Sequence, residues 1–245
     1  RGGPGLGGIQ PSQSDYWQAT KALGHGDFQI LVFAPSTVQE MVDLVSDAFD
    51  KADEYRMPAM ILADGMLGQM MEPVELPEHK DRKLPEKPWA ACGHENKREH
   101  NIINSLYLTP NALEDLVRAR YERYKIVEEK EQRAEEYRTE DADVIVVAYG
   151  ASSRVARSAV NKAREAGKKV GLIRPITLWP FPKDAIKRAA DHTKELLVVE
   201  MSMGQMVDDV RLAAECRVPV HFYGRTGGVI PTPKEILGEI DKLLK

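Results

Sequence analysis

The sequence has very few cysteines. Only Cys92 and Cys216 occur among its 245 residues, and they form no C-x-x-C pair. Two widely separated thiols are too few to hold an iron–sulfur cluster, and such low cysteine usage is typical of a reducing compartment. We therefore expect a cytoplasmic protein, and we expect any iron–sulfur cluster that it uses to be bound by a partner.

The sequence also lacks a basic bias and a long apolar run. Lysine and arginine total 34 against 38 acidic residues, a formal charge of −4, so DNA or RNA binding is not expected. No apolar stretch approaches the roughly 20 residues that a membrane-spanning helix needs. The glycine-rich start shows no signal-peptide pattern, and we expect no membrane association.

The first 75 residues predict one strand–helix–strand unit. Residues 29–34 and 60–65 are short apolar runs, and the residues between them show apolar positions at helical spacing. The two strands should therefore be parallel. Ser36 and Gln39 have the spacing of a capping box at the start of the helix. So few strands cannot cover their own sheet, so we expect exposed apolar surface that needs a partner or self-association.

The middle of the chain predicts a connection followed by a charged helix, residues 76–140. Residues 73–108 contain four prolines and no sustained periodicity. Thr109 and Pro110 are typical of a cap and a first helical residue. We expect this helix to continue through the charged run EEKEQRAEEYR as a solvated face.

Residues 141–245 predict an α/β domain with a doubly wound, mostly parallel sheet. Four apolar runs alternate with amphipathic helical segments, which is typical of a parallel sheet covered on both faces. The runs are DVIVVAYG, KKVGLIRP, ELLVVEMS and VPVHFYG. Thr232 and Glu235 predict a capping box for the last helix.

Two further motifs leave alternatives open. Gly3, Gly5 and Gly8 have the spacing of a dinucleotide-binding turn, but no strand precedes them, so a loop with positive φ angles or close backbone approach is favoured. A leading arginine on such a loop could present its planar fork to a carboxylate. The segment 226–228, Thr-Gly-Gly, follows a strand and fits either a ligand-binding end or a tight turn.

Metal binding is not expected. Cys92, His94 and His100 form a C-x-H-x5-H pattern that lacks a fourth ligand and matches no common zinc spacing.

Long stretches of the chain resemble the alpha-type subunit of 2-oxoacid:ferredoxin oxidoreductases. The resemblance is carried by RGGPGLGGIQPSQSDYWQATKALGHGDF, LVFAPSTVQEMVDL and ILADGMLGQMMEPVE. Five segments are most similar to the 2-ketoisovalerate (3-methyl-2-oxobutanoate) branch of this family. They are QSDYWQA, GHGDF, LGQMMEPV, MSMGQMVDDVRLA and VPVHFYGRTGGVIPTPKEI. The resemblance covers nearly the whole chain and is weakest across residues 76–108.

The resemblance implies a truncated pyrimidine-type domain of the thiamine fold at residues 1–75 and a transketolase C-terminal-like domain at residues 141–245. The family's cofactor-activating glutamate lies upstream of the RGGP loop, and the sequence starts at Arg1 rather than methionine. We therefore expect an amino-terminal part to be missing and the chain alone to be inactive. Thiamine diphosphate, Mg²⁺ and iron–sulfur clusters are implied to bind mostly to other subunits or to that part, with coenzyme A as co-substrate.

The resemblance also implies where the substrate binds. Arg1 matches the family arginine that contacts the 2-oxoacid, and Gln10 matches a position that lines the substrate pocket. Relatives specific for 2-oxoglutarate resemble RGGPSTGLPT here, so Gly5, Leu6 and Gln10 replace hydroxyl-bearing residues, which favours an apolar substrate side chain.

Asp15 and His25 lie on the same segment and could line the site. The alternative is that Asp15 caps a helix beginning near Tyr16 and that His25 is a turn residue.

The implied activity is oxidative decarboxylation of a branched-chain 2-oxoacid to its acyl-CoA, with electrons passed to ferredoxin. The implied partners are a thiamine-binding beta-type subunit, a gamma-type subunit and a ferredoxin-like delta-type subunit, in a dimer of protomers. Two alternatives remain, a non-catalytic assembly or binding subunit, and the same chemistry on pyruvate, indolepyruvate or 2-oxoglutarate.

Overall fold

The structure is a computed structural model that describes residues 2–3, 8–22, 24–76 and 85–245. The first regular unit consists of β1 (Leu31–Phe33), helix α1 (Val38–Tyr55) and β2 (Ala59–Ile61). The two strands are parallel, with Leu31 opposite Ala59. The predicted strand–helix–strand unit is confirmed.

The cap of α1 lies one residue later than predicted. Thr37, not Ser36, accepts a hydrogen bond from the backbone N–H of Glu40 through its side chain. The Glu40 carboxylate reaches back to the N–H of Ser36 at 2.7 Å, whereas Gln39 hydrogen-bonds to Asp43. An ionised carboxylate interacts more favourably than an amide with the positive end of the helix dipole, which explains the shift.

Helix α2 (Pro110–Lys130) begins after Thr109 as predicted but ends earlier than expected. The helical interpretation of residues 131–138 is wrong, because Ala134–Tyr137 forms strand β3. This strand pairs antiparallel with β5 (Val170–Pro175), and Glu135 on β3 bonds to two arginines. Pairing with a distant strand has overridden the local helical preference of a charged run.

The remaining elements alternate strand and helix. They are β4 (Val144–Val147), α3 (Gly150–Glu165), β5, β6 (Thr177–Trp179), α4 (Lys183–Ala190), β7 (Glu195–Glu200), α5 (Met206–Ala214), β8 (Val220–Gly224) and α6 (Pro233–Leu243). Within the described residues, five strands form one sheet in the order β3-β5-β4-β7-β8. All neighbours except β3 and β5 are parallel. The predicted capping box of Thr232 and Glu235 is confirmed at α6.

Helices cover both faces of this sheet. Val144 and Val146 of β4 face a core with Ile236 and Ile240 of α6 and the alanine-rich side of α3. The alternate β4 side chains face a second core that includes α4 and α5. Fully burying such an aliphatic side chain stabilises the fold by about 1.5–3 kcal/mol. The predicted doubly wound α/β organisation is confirmed.

Strand β6 joins the first unit to this domain. It pairs antiparallel with β1, so within the described part of the chain the order β2-β1-β6 forms a second sheet. Phe33 of β1 lies in a third core with Leu44 of α1 and Tyr124 and Val127 of α2. Three residues are too short a run for periodicity to reveal, so the sequence analysis did not predict β6. The boundary at residue 141 remains a prediction.

Exposed apolar side chains occur, but not on the first strand. β1 is fully buried, whereas Phe49 of α1 is 73% exposed and Ile102 and Leu108 of the connection are 82% and 84% exposed. Of the described helices, none is both long and apolar enough to span a membrane. The requirement for a partner remains a prediction.

Candidate functional site

The segment 8–17, here called the amino-terminal loop, lies where strands of both sheets end. The N–H of Gln13 donates to the carbonyl of Met201, which directly follows β7, at 2.8 Å. The carbonyl of Ile9 accepts a hydrogen bond from Gln69, beyond β2, at 2.7 Å. Ligands of α/β proteins bind in the crevice outside the carboxyl ends of parallel strands. The loop therefore lies in the position where a substrate is expected.

Gln13 anchors the loop to the carboxy-terminal domain. Its side chain is buried and donates to the carbonyl of Tyr149 at 2.8 Å. Its amide oxygen accepts from the hydroxyl of Ser152 at 2.8 Å and from the N–H of Met201 at 2.9 Å. The Tyr149 hydroxyl donates to the Gln13 carbonyl at 3.2 Å. Buried polar groups that are all satisfied in this way hold a backbone in one arrangement.

Two aromatic residues attach the loop to α5. The hydroxyl of Tyr16 donates to Asp209 at 2.5 Å, and the indole of Trp17 donates to the carbonyl of Gln205 at 3.2 Å. The Gln205 side chain in turn donates to the carbonyl of Ser14 at 2.8 Å. Burial, and then the Asp209 carboxylate, raise the pKa of Tyr16 well above its ordinary value. The phenol therefore stays protonated and acts as a fixed donor.

Asp64 links the end of β2 to the start of α3. One of its oxygens accepts from the N–H groups of Met66 and Leu67 at 2.9 and 3.1 Å. The other accepts from the N–H of Ala151 in the first turn of α3 at 3.2 Å. A carboxylate is favourable at the positive end of a helix. Asp64 thus holds the ends of the two sheets together beside the amino-terminal loop.

Glu200 sets the start of α5 at the end of β7. Its carboxylate is fully buried and accepts from the N–H groups of Met206 and Val207, each at 3.0 Å, and from the Ser202 hydroxyl at 2.9 Å. Burial raises the pKa of Glu200, an effect that these donors partly offset. Because Glu200 also accepts from the N–H of Gln205, it positions the residue that contacts Trp17.

Asp15 and His25, the two predicted lining residues, lie in different surroundings. Asp15 is exposed, lines a cavity of about 20 Å³ beside Asp64 and Tyr149, and its carbonyl accepts from the N–H of Ala19 at 2.9 Å. His25 is exposed and begins a short 3₁₀ turn that ends at Asp27, away from that cavity. The two side chains are not brought together, and their roles remain predictions.

Gln10 lies at the exposed edge of the loop, between the residues that follow β2 and β8. Its backbone carbonyl lies against Gly65 and its side chain against Gly228. Arg1, Gly5 and Leu6 lie outside the described residues.

The described residues include no group of three or more histidine, cysteine, aspartate or glutamate side chains that could hold an ion. The His94 and His100 rings contact each other at 4.0 Å between centroids. The cavity beside Asp15 has room for about one water molecule.

Sequence reasoning missed Gln13, Asp64 and Glu200. Asp64 and Glu200 are acidic residues at or just after the carboxyl ends of predicted strands, so strand-end position was a usable signal for both. Gln13 carried no local signal, because its partners lie 136 and more residues away.

Two family models cover most of the chain. Residues 1–145 match the pyruvate flavodoxin/ferredoxin oxidoreductase thiamine diphosphate-binding domain. Residues 142–236 match core domain II of pyruvate:ferredoxin oxidoreductase.

Curated relatives match along nearly the whole chain. The ketoisovalerate oxidoreductase subunit VorB of Methanothermobacter marburgensis is 47% identical over 99% of this chain and 68% of its own length. The 2-oxoglutarate synthase subunit KorA of the same organism is 34% identical over 98% of this chain and 71% of its own length. The chain therefore spans about two thirds of the length of these relatives.

A solved structure has the same fold. The 2-oxoglutarate:ferredoxin oxidoreductase of Magnetococcus marinus, with 2-oxoglutarate, coenzyme A and succinyl-CoA bound, superposes with a TM-score of 0.81 at 23% identity. This likeness covers all of this chain and 47% of that chain. The family predicted from the sequence is confirmed: with both domain models and relatives that match along nearly the whole of this chain in agreement, the chain belongs to the pyruvate flavodoxin/ferredoxin oxidoreductase family.

Proposed function

We propose that this chain supplies the substrate-loop region of a thiamine diphosphate-dependent 2-ketoisovalerate:ferredoxin oxidoreductase. The reaction is oxidative decarboxylation of a branched-chain 2-oxoacid to its acyl-CoA, with two electrons passed to ferredoxin. The observation that carries the proposal is the anchoring of the amino-terminal loop by Gln13 at the strand ends of the carboxy-terminal domain. The 47% identity to a ketoisovalerate oxidoreductase subunit supports the substrate.

In this proposal the chain's own residues bind and orient the substrate. Arg1 pairs its guanidinium with the 2-oxoacid carboxylate, since the planar fork matches two oxygens. Gln10 lines the pocket for the substrate's apolar side chain, and Asp15 and His25, further along the same segment, are the remaining candidate lining residues. Anchoring the loop on rigid strand ends holds such groups in a productive geometry.

The cofactors and partners belong to the same proposal. Thiamine diphosphate, Mg²⁺ and iron–sulfur clusters are bound mostly by other subunits or by the missing amino-terminal part, as the family resemblance implies. The partners are beta-type, gamma-type and ferredoxin-like delta-type subunits and ferredoxin, in a dimer of protomers. The free, exposed Cys92 and Cys216 are compatible with a reducing, cytoplasmic location. Residues 1–75 serve as the pyrimidine-type domain and residues 141–245 as the transketolase C-terminal-like domain, joined by residues 76–140.

The test is activity of the assembled complex with a panel of 2-oxoacids. The subunit is co-expressed with its partners, and coenzyme A-dependent reduction of a viologen dye is measured. We expect the highest kcat/KM with 2-ketoisovalerate and at least about a tenfold lower value with pyruvate, indolepyruvate and 2-oxoglutarate. A higher value with any of these three would contradict the proposed substrate.

Arg1→Ala separates a substrate-binding role from a purely structural subunit. Loss of a charge-assisted pair is expected to lower kcat/KM about 10- to 100-fold. Arg211→Ala, an exposed arginine on α5, is the matched control and should leave turnover unchanged. Normal turnover by the Arg1 variant would favour a non-catalytic assembly subunit.

A further inference from the structure

Gln10, at the exposed edge of the loop, lies against glycines that follow two different strands. Gly65 lies four residues beyond the end of β2, and Gly228 lies four residues beyond the end of β8. The first belongs to the amino-terminal unit and the second to the carboxy-terminal domain. Both lie against the same residue of the amino-terminal loop.

Neither glycine has room for a side chain. A Cβ added at Gly228 would lie 2.6 Å from the Cβ of Gln10 and 3.0 Å from its Cγ. A Cβ added at Gly65 would lie 2.9 Å from the carbonyl oxygen of Gln10. A Cβ does not lie this close to another heavy atom, so a side chain at either position would force Gln10 or the glycine's own backbone to shift.

The backbone on both sides of Gln10 is held independently. The N–H of Gln10 donates to the carbonyl of Gly8 at 2.9 Å, and Gln69 holds the carbonyl of Ile9 at 2.7 Å. Gln13 fixes the chain three residues later. Because the neighbouring backbone is fixed, Gly65 limits where the Gln10 backbone lies and Gly228 limits where its side chain lies.

We propose that Gly65 and Gly228 form a two-sided seat that positions Gln10 against the 2-oxoacid side chain. Gly228 is then a specificity-determining residue of the carboxy-terminal domain, acting through Gln10 without touching substrate. This inference rests on the proposed function, which places Gln10 in the substrate pocket. The glycines are positioning residues.

The test compares three glycine variants in the assembled complex. Gly228→Ala adds both the contact with Gln10 and a strained backbone, since φ is +94°. Gly227→Ala is the matched control, because its φ is +68° but a Cβ there would meet nothing within 4 Å. Gly65→Ala adds a contact without a positive φ. A misplaced loop residue can lower activity about a hundredfold.

The expected pattern is specific. Gly228→Ala and Gly65→Ala should raise KM for 2-ketoisovalerate by about tenfold or more with a smaller change in kcat, while Gly227→Ala should stay within about threefold of wild type. Gln10→Gly removes the side chain that a Cβ at Gly228 would contact. In the Gln10→Gly background, adding Gly228→Ala should therefore change KM little further.

Hydrogen–deuterium exchange of residues 8–17 provides a readout that does not need turnover. Gly228→Ala should exchange faster there than Gly227→Ala. Equal KM values and equal exchange rates in Gly228→Ala and Gly227→Ala would overturn the proposal that Gly228 positions Gln10. Should the wild-type complex oxidise none of the 2-oxoacids, the proposed function fails, while the exchange comparison still decides whether Gly228 seats Gln10.

Discussion

Gln13 is a neutral side chain that uses both ends of its amide to join distant parts of the chain. It donates to Tyr149 after β4 and accepts from Ser152 in the first turn of α3 and from Met201 after β7. A buried group without its partner costs about 1–3 kcal/mol, more than the net gain from a typical hydrogen bond. A single residue of this kind can therefore determine the position of the whole amino-terminal loop.

Gln13→Ala is expected to destabilise the protein by about 3 kcal/mol, because three buried polar groups lose their partner. For a chain of this size the melting temperature should fall by about 6–12 °C. The measurement is thermal or urea unfolding followed by circular dichroism.

Gln18→Ala serves as the control for this prediction. Gln18 is an exposed glutamine on the same segment, and surface substitutions of this kind stay within about 0.5 kcal/mol. Equal stabilities of the Gln13 and Gln18 variants would show that the Gln13 hydrogen bonds do not hold the loop.

At the scale of elements, the end of α2 is joined to α1 by a buried carboxylate. Glu131, which caps α2, accepts from the Tyr55 hydroxyl at 2.7 Å and pairs with Lys51 at 2.8 Å. Burial alone would raise the pKa of the Glu131 carboxyl, but the hydrogen bonds from Lys51 and Tyr55 outweigh burial and hold the pKa below its ordinary value. The contact fixes the end of α2, the helix whose Tyr124 and Val127 pack in one core with Phe33 of β1.

Glu131→Gln is expected to lower the free energy of unfolding by about 2 kcal/mol near neutral pH. The depressed pKa means that the unfolded state binds more protons in acid, so this contribution is present above the ordinary value of 4.5 and is lost as pH falls through the folded-state value. The difference between wild type and variant should therefore shrink in acid.

Urea unfolding from about pH 7 to about pH 3 measures this difference. Glu129→Gln, an exposed neighbour on the same helix, should show no comparable change. A gap between wild type and the Glu131 variant that stays constant or widens in acid would contradict the assignment.

At the scale of the molecule, two sheets are held as one body. Strand β6 leaves the carboxy-terminal domain to pair with β1. Arg174 of β5 pairs with Glu40 of α1 at 2.7 Å and with Glu135 of β3 at 2.8 Å, and its side chain is only 7% exposed. The amino-terminal loop lies across both units, so its geometry depends on their relative position.

Arg174→Met is expected to destabilise the protein by about 2–3 kcal/mol, because it leaves two partly buried carboxylates without this partner. The loss should appear as a lower urea midpoint, with broadening if the two units then unfold separately. Arg188→Met removes an exposed pair with Glu136 and should cost less than about 1 kcal/mol. An Arg174 variant no less stable than the Arg188 variant would exclude a linking role.

What could be predicted from the sequence differs between local and distant features. The strand–helix–strand unit and the alternating strands and helices of the carboxy-terminal domain follow from apolar runs such as residues 144–147. An apolar run of this kind predicts a buried strand from its own residues alone. The resemblance to the oxidoreductase family was likewise carried by sequence segments alone. The roles of Arg1, Gln10, Asp15 and His25 remain predictions.

Features that depend on pairing across the chain were decided only by the tertiary structure. The charged segment 134–137 forms β3 because it pairs by backbone hydrogen bonds with β5 and because Glu135 forms an ion pair with Arg174. Gln13 has no distinctive local pattern, and the Thr-Gly-Gly segment did not reveal that Gly228 packs against Gln10, because their partners lie far away in sequence. The sequence by itself determined which segments are strands and helices in the domain cores, since periodicity is a local property. Where the loop lies, and which residues hold it, depends on contacts that form only after both sheets have assembled.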